Sequence, residues 1–250
     1  VLIALPPSQG KAAPQSGPPL DLDSMSIPPF TAQRRELVRE LEEVSKLPSA
    51  TDLLGVGARV EHEVHAQRNL TALPCAPAHD VYTGVLYQAA DFSTLSDAAR
   101  ARADDQVLIF SALFGAVSPR DLIPRYRLTM GVKLPGGTPA SRWRPLWRRL
   151  DERADGQLVI DGRSADYAAW KPPVTAVRVA INAVRDTNGQ RKVITHNAKH
   201  YRGLIARLAL EAETPPRTAD DLAHEAGRVG TVELTGSGSS FVLTVVESSL

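Results

Sequence analysis

Asp80-Val81-Tyr82-Thr83-Gly84-Val85-Leu86-Tyr87 opens the stretch that organises this chain of 250 residues. The stretch continues through an apolar run, Val107-Leu108-Ile109-Phe110-Ser111. It closes with Ser118-Pro119-Arg120-Asp121-Leu122-Ile123-Pro124-Arg125-Tyr126-Arg127-Leu128-Thr129-Met130-Gly131. Polar residues and glycines here abut apolar runs. That juxtaposition marks turns that present side chains at the ends of buried strands.

Val107 to Ser111 reads as a buried strand, and Ser96 begins the helix before it. Tyr126 to Leu134 alternates apolar and polar residues, the pattern of a half-exposed strand with Arg127 and Lys133 on its polar face. Towards the N-terminus, Val1 to Leu5 reads as another buried strand. Pro6 and Pro7 stop it, Gly10 turns the backbone, and Lys11 follows at the mouth. Residues 12 to 29 read as a loop, then Thr31 caps a helix to about Lys46. Leu37, Val38, Leu41 and Val44 form that helix's apolar stripe, with Arg34 and Arg35 placed on the wet face. Around Gly55-Val56-Gly57, a short helix, a hairpin and a second helix would fit. A helix-hairpin-helix of this kind can hold nucleic-acid phosphate, although Glu61 and Glu63 on the second helix repel it.

Towards the C-terminus, Ser141 to about Ala154 reads as a helix that packs Trp143 and Trp147 inward. Leu158 to Ile160 is a strand ending in Asp161-Gly162-Arg163-Ser164-Ala165-Asp166-Tyr167. Asn188-Gly189 between two apolar runs predicts a hairpin, so the sheet is at least partly antiparallel. A helix from Asn197 to about Glu213 presents Lys199, Arg202 and Arg207. Thr218 caps a last helix, and two strands finish the chain. The fold expected is α+β, one compact domain over residues 1–250. Helices surround a mixed or antiparallel sheet, and strands from both ends of the chain share its core.

The central stretch resembles the peroxide-stress protein YaaA family. That family shows a D-V-Y-T-G-L-like segment, an L-S-G-L-Y-G-like strand end, then R-P-x-D-L and P-Y-R-L-x-M-G. The matching residues are Asp80, Tyr82, Thr83 and Gly84; Ser111, Leu113 and Gly115; and Pro119, Asp121, Tyr126, Arg127, Met130 and Gly131. The opening resembles the family's P-P-S-E-G-K, with Gln9 in place of Glu. Asp161 to Tyr167 resembles its N-L-A-S-x-E-Y-F, with Asp161 in place of Asn. Ala198, Lys199, Arg202, Gly203 and Arg207 match an A-K-x-A-R-G-x-x-x-R segment. The resemblance implies an α+β domain with a positively charged cleft, nucleic-acid binding, and a link to peroxide protection and free-iron control.

Composition sets the limits. Apolar residues make up 43% and charged residues 23%, ordinary for a globular protein. Net charge is +1, so any basic site must come from local clustering. Cys75 is the single cysteine, which excludes an internal disulfide and suits a reducing compartment. No apolar run approaches the ~20 residues of a membrane span. Val1 to Leu5 is too short for a signal peptide and lacks basic flanks. These features predict a cytoplasmic protein with no membrane partner. The histidines are scattered, and no metal site or other cofactor is expected.

Candidate site residues sit at strand ends and at one helix start. Lys11, Thr83, Arg127, Lys199, Arg202 and Arg207 are the expected ligand-binding residues. They suit a nucleic acid or a phosphate-bearing small molecule. A second function class is an enzyme of a specialised biosynthetic pathway, acting on a small nucleobase- or phosphate-containing substrate. Tyr82, Asp121, Ser164, Asp166 and Lys199 would then supply acid–base and electrophilic groups. No nucleophile elbow, zincin motif, P-loop or dinucleotide fingerprint is present.

Overall fold

The computed structural model describes residues 1–248, with the side chains of Thr195, His196 and Ser248 outside the described residues. Strand β1 (Leu2–Leu5) is followed by a long loop and a 3-10 turn that leads into helix α1 (Thr31–Ser45). Two short helices, α2 (Ala50–Leu54) and α3 (Glu61–Ala66), flank Gly55-Val56-Gly57. Next come β2 (Ala76–Pro77), α4 (Ala78–Val81), α5 (Val85–Ala90) and α6 (Asp97–Gln106). Strand β3 (Val107–Ser111) turns back as β4 (Gly115–Val117), and β5 (Leu122–Ile123) pairs with β2. Helices α7 (Pro139–Trp143) and α8 (Asp151–Ala154) precede β6 (Leu158–Asp161). The hairpin β7 (Val177–Thr187) and β8 (Gln190–Val193) leads to α9 (Thr195–Glu211) and α10 (Ala219–Ala226). Strands β9 (Thr231–Ser237) and β10 (Ser240–Ser248) follow.

One sheet runs β4-β3-β1-β6-β7-β10-β9, with β8 also paired to β7. Strands from the two ends of the chain, β1 and β10, therefore share it. The central pairs β3–β1, β1–β6, β6–β7 and β7–β10 are parallel, while β3–β4, β7–β8 and β9–β10 are antiparallel. The sequence explains the centre. All of Leu2 to Leu5 and Val107 to Ser111 are buried, as expected of parallel strands covered on both faces. From β1 the chain moves to β3 on one side, and it later enters β6 on the other. The carboxyl ends of β1 and β6 thus flank a topological switch point, where open sheets with parallel strands place their ligands.

Local signals account for several boundaries. Ser96 accepts a hydrogen bond from the Ala99 amide, and Thr218 forms a capping box with Asp221. Asn188 (φ 53°) and Gly189 (φ 82°) both take the left-handed turn that a two-residue hairpin needs.

Four local expectations are corrected. Thr31 makes no capping hydrogen bond, because a 3-10 turn ending at Phe30 already leads into α1. Arg34 is wholly buried, not on the wet face. Its Nε donates to the Phe114 carbonyl (3.0 Å) and one Nη to Ala116 (2.8 Å), satisfying acceptors on the β3–β4 turn and the β4 edge. Tyr126 to Leu134 keeps its alternating burial but joins no ladder. The Arg127 amide donates to the Gln67 side chain instead (2.8 Å). The helix expected from Ser141 is broken into α7, a 3-10 stretch over Arg144–Leu150 and α8, with Pro145 at the break.

Cys75 is buried in the loop before β2, and burial pushes its thiol up to about 11. The folded protein should therefore resist a thiol reagent at pH 7, where the denatured chain reacts at once. Comparing labelling rates by mass spectrometry checks this. Equal rates in the two states would contradict it.

Candidate functional site

Beyond β1 the chain is zipped to the segment after α4. Lys11 and Tyr82 form an antiparallel bridge, the Thr83 amide donates to the Gly10 carbonyl (3.1 Å), and the Ala12 amide to Val81 (2.8 Å). Facing residues in such a pair bring their side chains together. The Lys11 ammonium nitrogen lies 4.5 Å from the Tyr126 ring centre and 5.5 Å from that of Tyr82. It donates to the Ser8 carbonyl at 2.8 Å. Gly84 holds φ at 126°, and a Cβ there would come within 2.8 Å of the Ser8 hydroxyl oxygen. A Cβ on Gly10 would come within 3.0 Å of the Thr83 hydroxyl oxygen. Two glycines thus allow two hydroxyls to sit over the zipped segment.

Beneath Lys11 runs a row of buried hydroxyls. Tyr82 Oη and Tyr126 Oη are 2.8 Å apart, and Tyr126 Oη lies 2.7 Å from Ser111 Oγ. Ser111 Oγ accepts from the Phe114 amide (3.0 Å). Burial raises the pKa of both phenols well above the usual range, so they stay neutral donors and acceptors. Tyr87 donates to the Pro6 carbonyl (2.8 Å) and completes the wall.

The charges around Lys11 are unequal. Arg127 grips Glu63 with two hydrogen bonds, 2.6 and 2.9 Å, and donates to the Gln9 carbonyl at 2.5 Å. Arg125 adds a longer contact to Glu63, 3.8 Å. Burial first and then the Arg127 charge, with Glu63 opposing both, lower Lys11 from its ordinary 10.5 to about 7. No ion pair joins Lys11 to a carboxylate among the described residues.

The neighbouring strand end, at β6, holds a second charged group. Asp161 is buried and takes Arg163 through two oxygens (2.8 and 2.9 Å) and Arg178 through one (2.7 Å). Burial pushes this carboxyl up; hydrogen bonds from Arg163 and the charges of Arg163 and Arg178 outweigh it and hold it at about 2. The Gly162 amide donates to the Ala4 carbonyl of β1 (2.9 Å), tying the two strand ends together. The adjoining residues 181–183 of β7 lie between its pairings with β6 and β8. Arg202 Nε reaches the Ile181 carbonyl there at 3.3 Å.

The expected residues therefore fall into groups. Lys11, Tyr82, Thr83 and Arg127 meet at the mouth of β1. Arg202 and half-buried Ser164 lie at the adjacent end of β6, and Lys199 is exposed one turn before Arg202 on α9. Asp166 is exposed, and its charge acts on Tyr167, whose phenol burial raises. Asp121 is turned inward, accepting from the Ser26 and Ser118 amides (both 2.9 Å) and from the Ser26 hydroxyl. Arg207 donates to the Ala90 (3.1 Å) and Asp91 (2.7 Å) carbonyls at the end of α5. Glu63, Ser8, Ser111 and Tyr126 belong to the mouth and were not among the expected site residues. Ser111 and Tyr126 had a signal, since both lie in family-like segments; Glu63 had none. Among the described residues, no three or more His, Cys, Asp or Glu gather as a metal site. No helix of the described residues is long and apolar enough to cross a membrane.

The sequence model of a family described as "Peroxide stress protein YaaA" matches residues 1–224. A UPF0246 protein of Streptomyces coelicolor is 42% identical over 230 residues, covering 90% of this chain and 88% of its own. A UPF0246 protein of Corynebacterium glutamicum is 36% identical over 252 residues, covering 98% and 100%. One from Burkholderia lata is 30% identical over 223 residues, covering 83% and 86%. With a family match over most of its length and relatives similar over most of theirs, the chain belongs to the YaaA (UPF0246) family of peroxide stress proteins.

Proposed function

We propose that the mouth of β1 binds a phosphate-bearing ligand and that the protein serves peroxide-stress protection through that binding. Lys11, Thr83 and Arg127 are its first contacts, with Ser8 beside them and Arg202 and Lys199 at the rim. The observation that carries this is Lys11. It is a half-buried cation at a sheet switch point, joined to no described carboxylate, with two hydroxyl side chains over the same backbone segment. An incoming anion would supply the missing counter-charge.

The ligand's size follows from the arginines. Arg127 is already paired with Glu63, and Arg163 and Arg178 with Asp161. So many internal pairs leave little positive charge for a long strand, which favours a compact ligand. Nucleic acid is the second reading. It is supported by the turn at Gly55-Val56-Gly57, where a Cβ on either glycine would meet nothing within 4 Å.

The test is titration with pyrophosphate and with a short single-stranded oligonucleotide across a salt series. Lys11→Ala should weaken pyrophosphate binding about tenfold or more, the weight of one charge-assisted hydrogen bond. If nucleic acid is the ligand, each lost phosphate contact among Lys11, Arg127, Lys199 and Arg202 flattens the salt slope by about one. Four folded alanine variants that all bind like the parent would end the reading.

A further inference from the structure

We propose that Lys11 is a nucleophilic amine and that the ligand of this mouth carries an aldehyde or ketone, which Lys11 holds as an imine. The proposal rests on the mouth being a ligand site and adds the functional group that the site addresses.

A buried ammonium has three N–H donors and a full charge to stabilise. Here it has one hydrogen bond, to the Ser8 carbonyl, and the faces of two tyrosine rings. The carboxylate that could have neutralised it, Glu63, is occupied by both arms of Arg127 and touched by Arg125. Tyr82 and Tyr126 are buried and neutral, so they add no counter-charge. The lysine thus sits in an apolar wall beside another cation. Those are the two environments that turn a lysine into a nucleophile. The downward shift to about 7, caused by burial and then by Arg127, agrees with this geometry.

A solvated lysine needs none of this construction. A lysine serving only as a phosphate contact would be better placed beside water, where its charge is secure at every physiological pH. The bridge to Tyr82 instead fixes the Lys11 backbone, and the rings of Tyr82 and Tyr126 face its Nζ. The Ser8 carbonyl takes one N–H of the neutral amine and leaves the nitrogen lone pair free to react.

The step balances without an oxidant or reductant. The lone pair of Nζ attacks the carbonyl carbon, and the C=O π electrons move to oxygen. A proton passes from nitrogen to that oxygen, giving a carbinolamine. The nitrogen lone pair then forms C=N as the hydroxyl leaves with a proton. Amine plus carbonyl gives imine plus water. The hydroxyls of Ser8 and Thr83 border the same segment and can hold the carbonyl oxygen and the departing water.

The test uses the intact chain and pyridoxal, an aldehyde without phosphate, followed by borohydride and peptide mapping. The chain has six lysines, Lys11, Lys46, Lys133, Lys171, Lys192 and Lys199, so each site is resolved. At pH 7, Lys11 should be modified at least about ten times faster than any other. About half of it is neutral there, against a small fraction of one per cent of an ordinary lysine. Its rate should reach half-maximum near pH 7, and Lys11→Arg should abolish the fast phase alone. Labelling of Lys11 no faster than the other five, or rising only above about pH 9 as for ordinary lysines, would overturn the proposal. So would a fast phase that survives Lys11→Arg. Inorganic phosphate in a parallel series judges the anion reading separately. Protection of Lys11 supports both readings. Fast labelling without protection supports the amine and removes the phosphate.

Discussion

Asp161→Asn lowers the melting temperature by about 6–12 °C, roughly 3 kcal/mol in a chain of this size. Arg163 has no exposed side-chain surface, and Asp161 exposes 1% of its own. Removing the carboxylate leaves a buried guanidinium with two ring faces, Phe110 and Trp170, and two carbonyls, Tyr167 and Trp170. Breaking one side of a buried pair is far costlier than omitting the pair, because the remaining charge is stranded. The family-like segment has Asn and Ala where this chain has Asp161 and Arg163, so the two departures come as an ion pair. The double variant Asp161→Asn, Arg163→Ala should therefore lose less stability than the sum of the single changes. Additive losses would show that the two residues act independently. The pH dependence has a definite sign. Asp161 is depressed from 3.8 to about 2, so its contribution is complete above about pH 4 and is lost as pH falls through about 2.

Gly203→Val destabilises the protein by a comparable amount, roughly 3 kcal/mol or more. A Cβ at this position would lie 2.1 Å from the Leu86 carbonyl oxygen, 2.8 Å from the Ala89 Cβ and 2.9 Å from the Ala90 amide nitrogen. Those are mainly backbone atoms of α5, so no side chain can swing aside. Helix α9 must therefore retreat from α5. That movement would also withdraw Arg207 from the Ala90 and Asp91 carbonyls. Thermal unfolding of Gly203→Val and Gly203→Ala checks this, with valine the worse of the two. A valine variant as stable as the parent would mean that the helices do not pack backbone to backbone.

Much of this fold is legible along the chain, and the rest fails for physical reasons. Val1 to Leu5 is apolar at every position, and a strand buried on both faces has to be. Asn188-Gly189 and the Thr218–Asp221 box are local chemistry, complete within four residues. Arg34 misleads because its position belongs to the apolar stripe of α1 while its type belongs to the surface. Only the unpaired carbonyls of Phe114 and Ala116, about eighty residues on, explain it. Tyr126 to Leu134 has the period of a strand because alternate residues are buried, but a ladder also needs a partner, which no local pattern reveals. The mouth of β1 shows both cases. Lys11, Thr83 and Arg127 are marked by strand ends and family-like segments. Glu63 reads as a surface acid on a short helix until the tertiary fold brings it to Arg127, 64 positions further along the chain.

Proton uptake on binding shows whether Lys11 meets the charge of an anionic ligand. An anion beside Nζ favours the ammonium and raises its pKa above the free value of about 7. Binding near pH 7.5 must then draw protons from solution, and affinity must fall as pH rises from about 7 towards the value in the complex. Calorimetric titration of pyrophosphate in two buffers of different ionisation heat measures that uptake. The expected result is uptake of about half a proton or more per ligand, absent in Lys11→Met, beyond the proton that the ligand itself takes up. Equal proton uptake by parent and variant would show that Lys11 does not meet the ligand's charge.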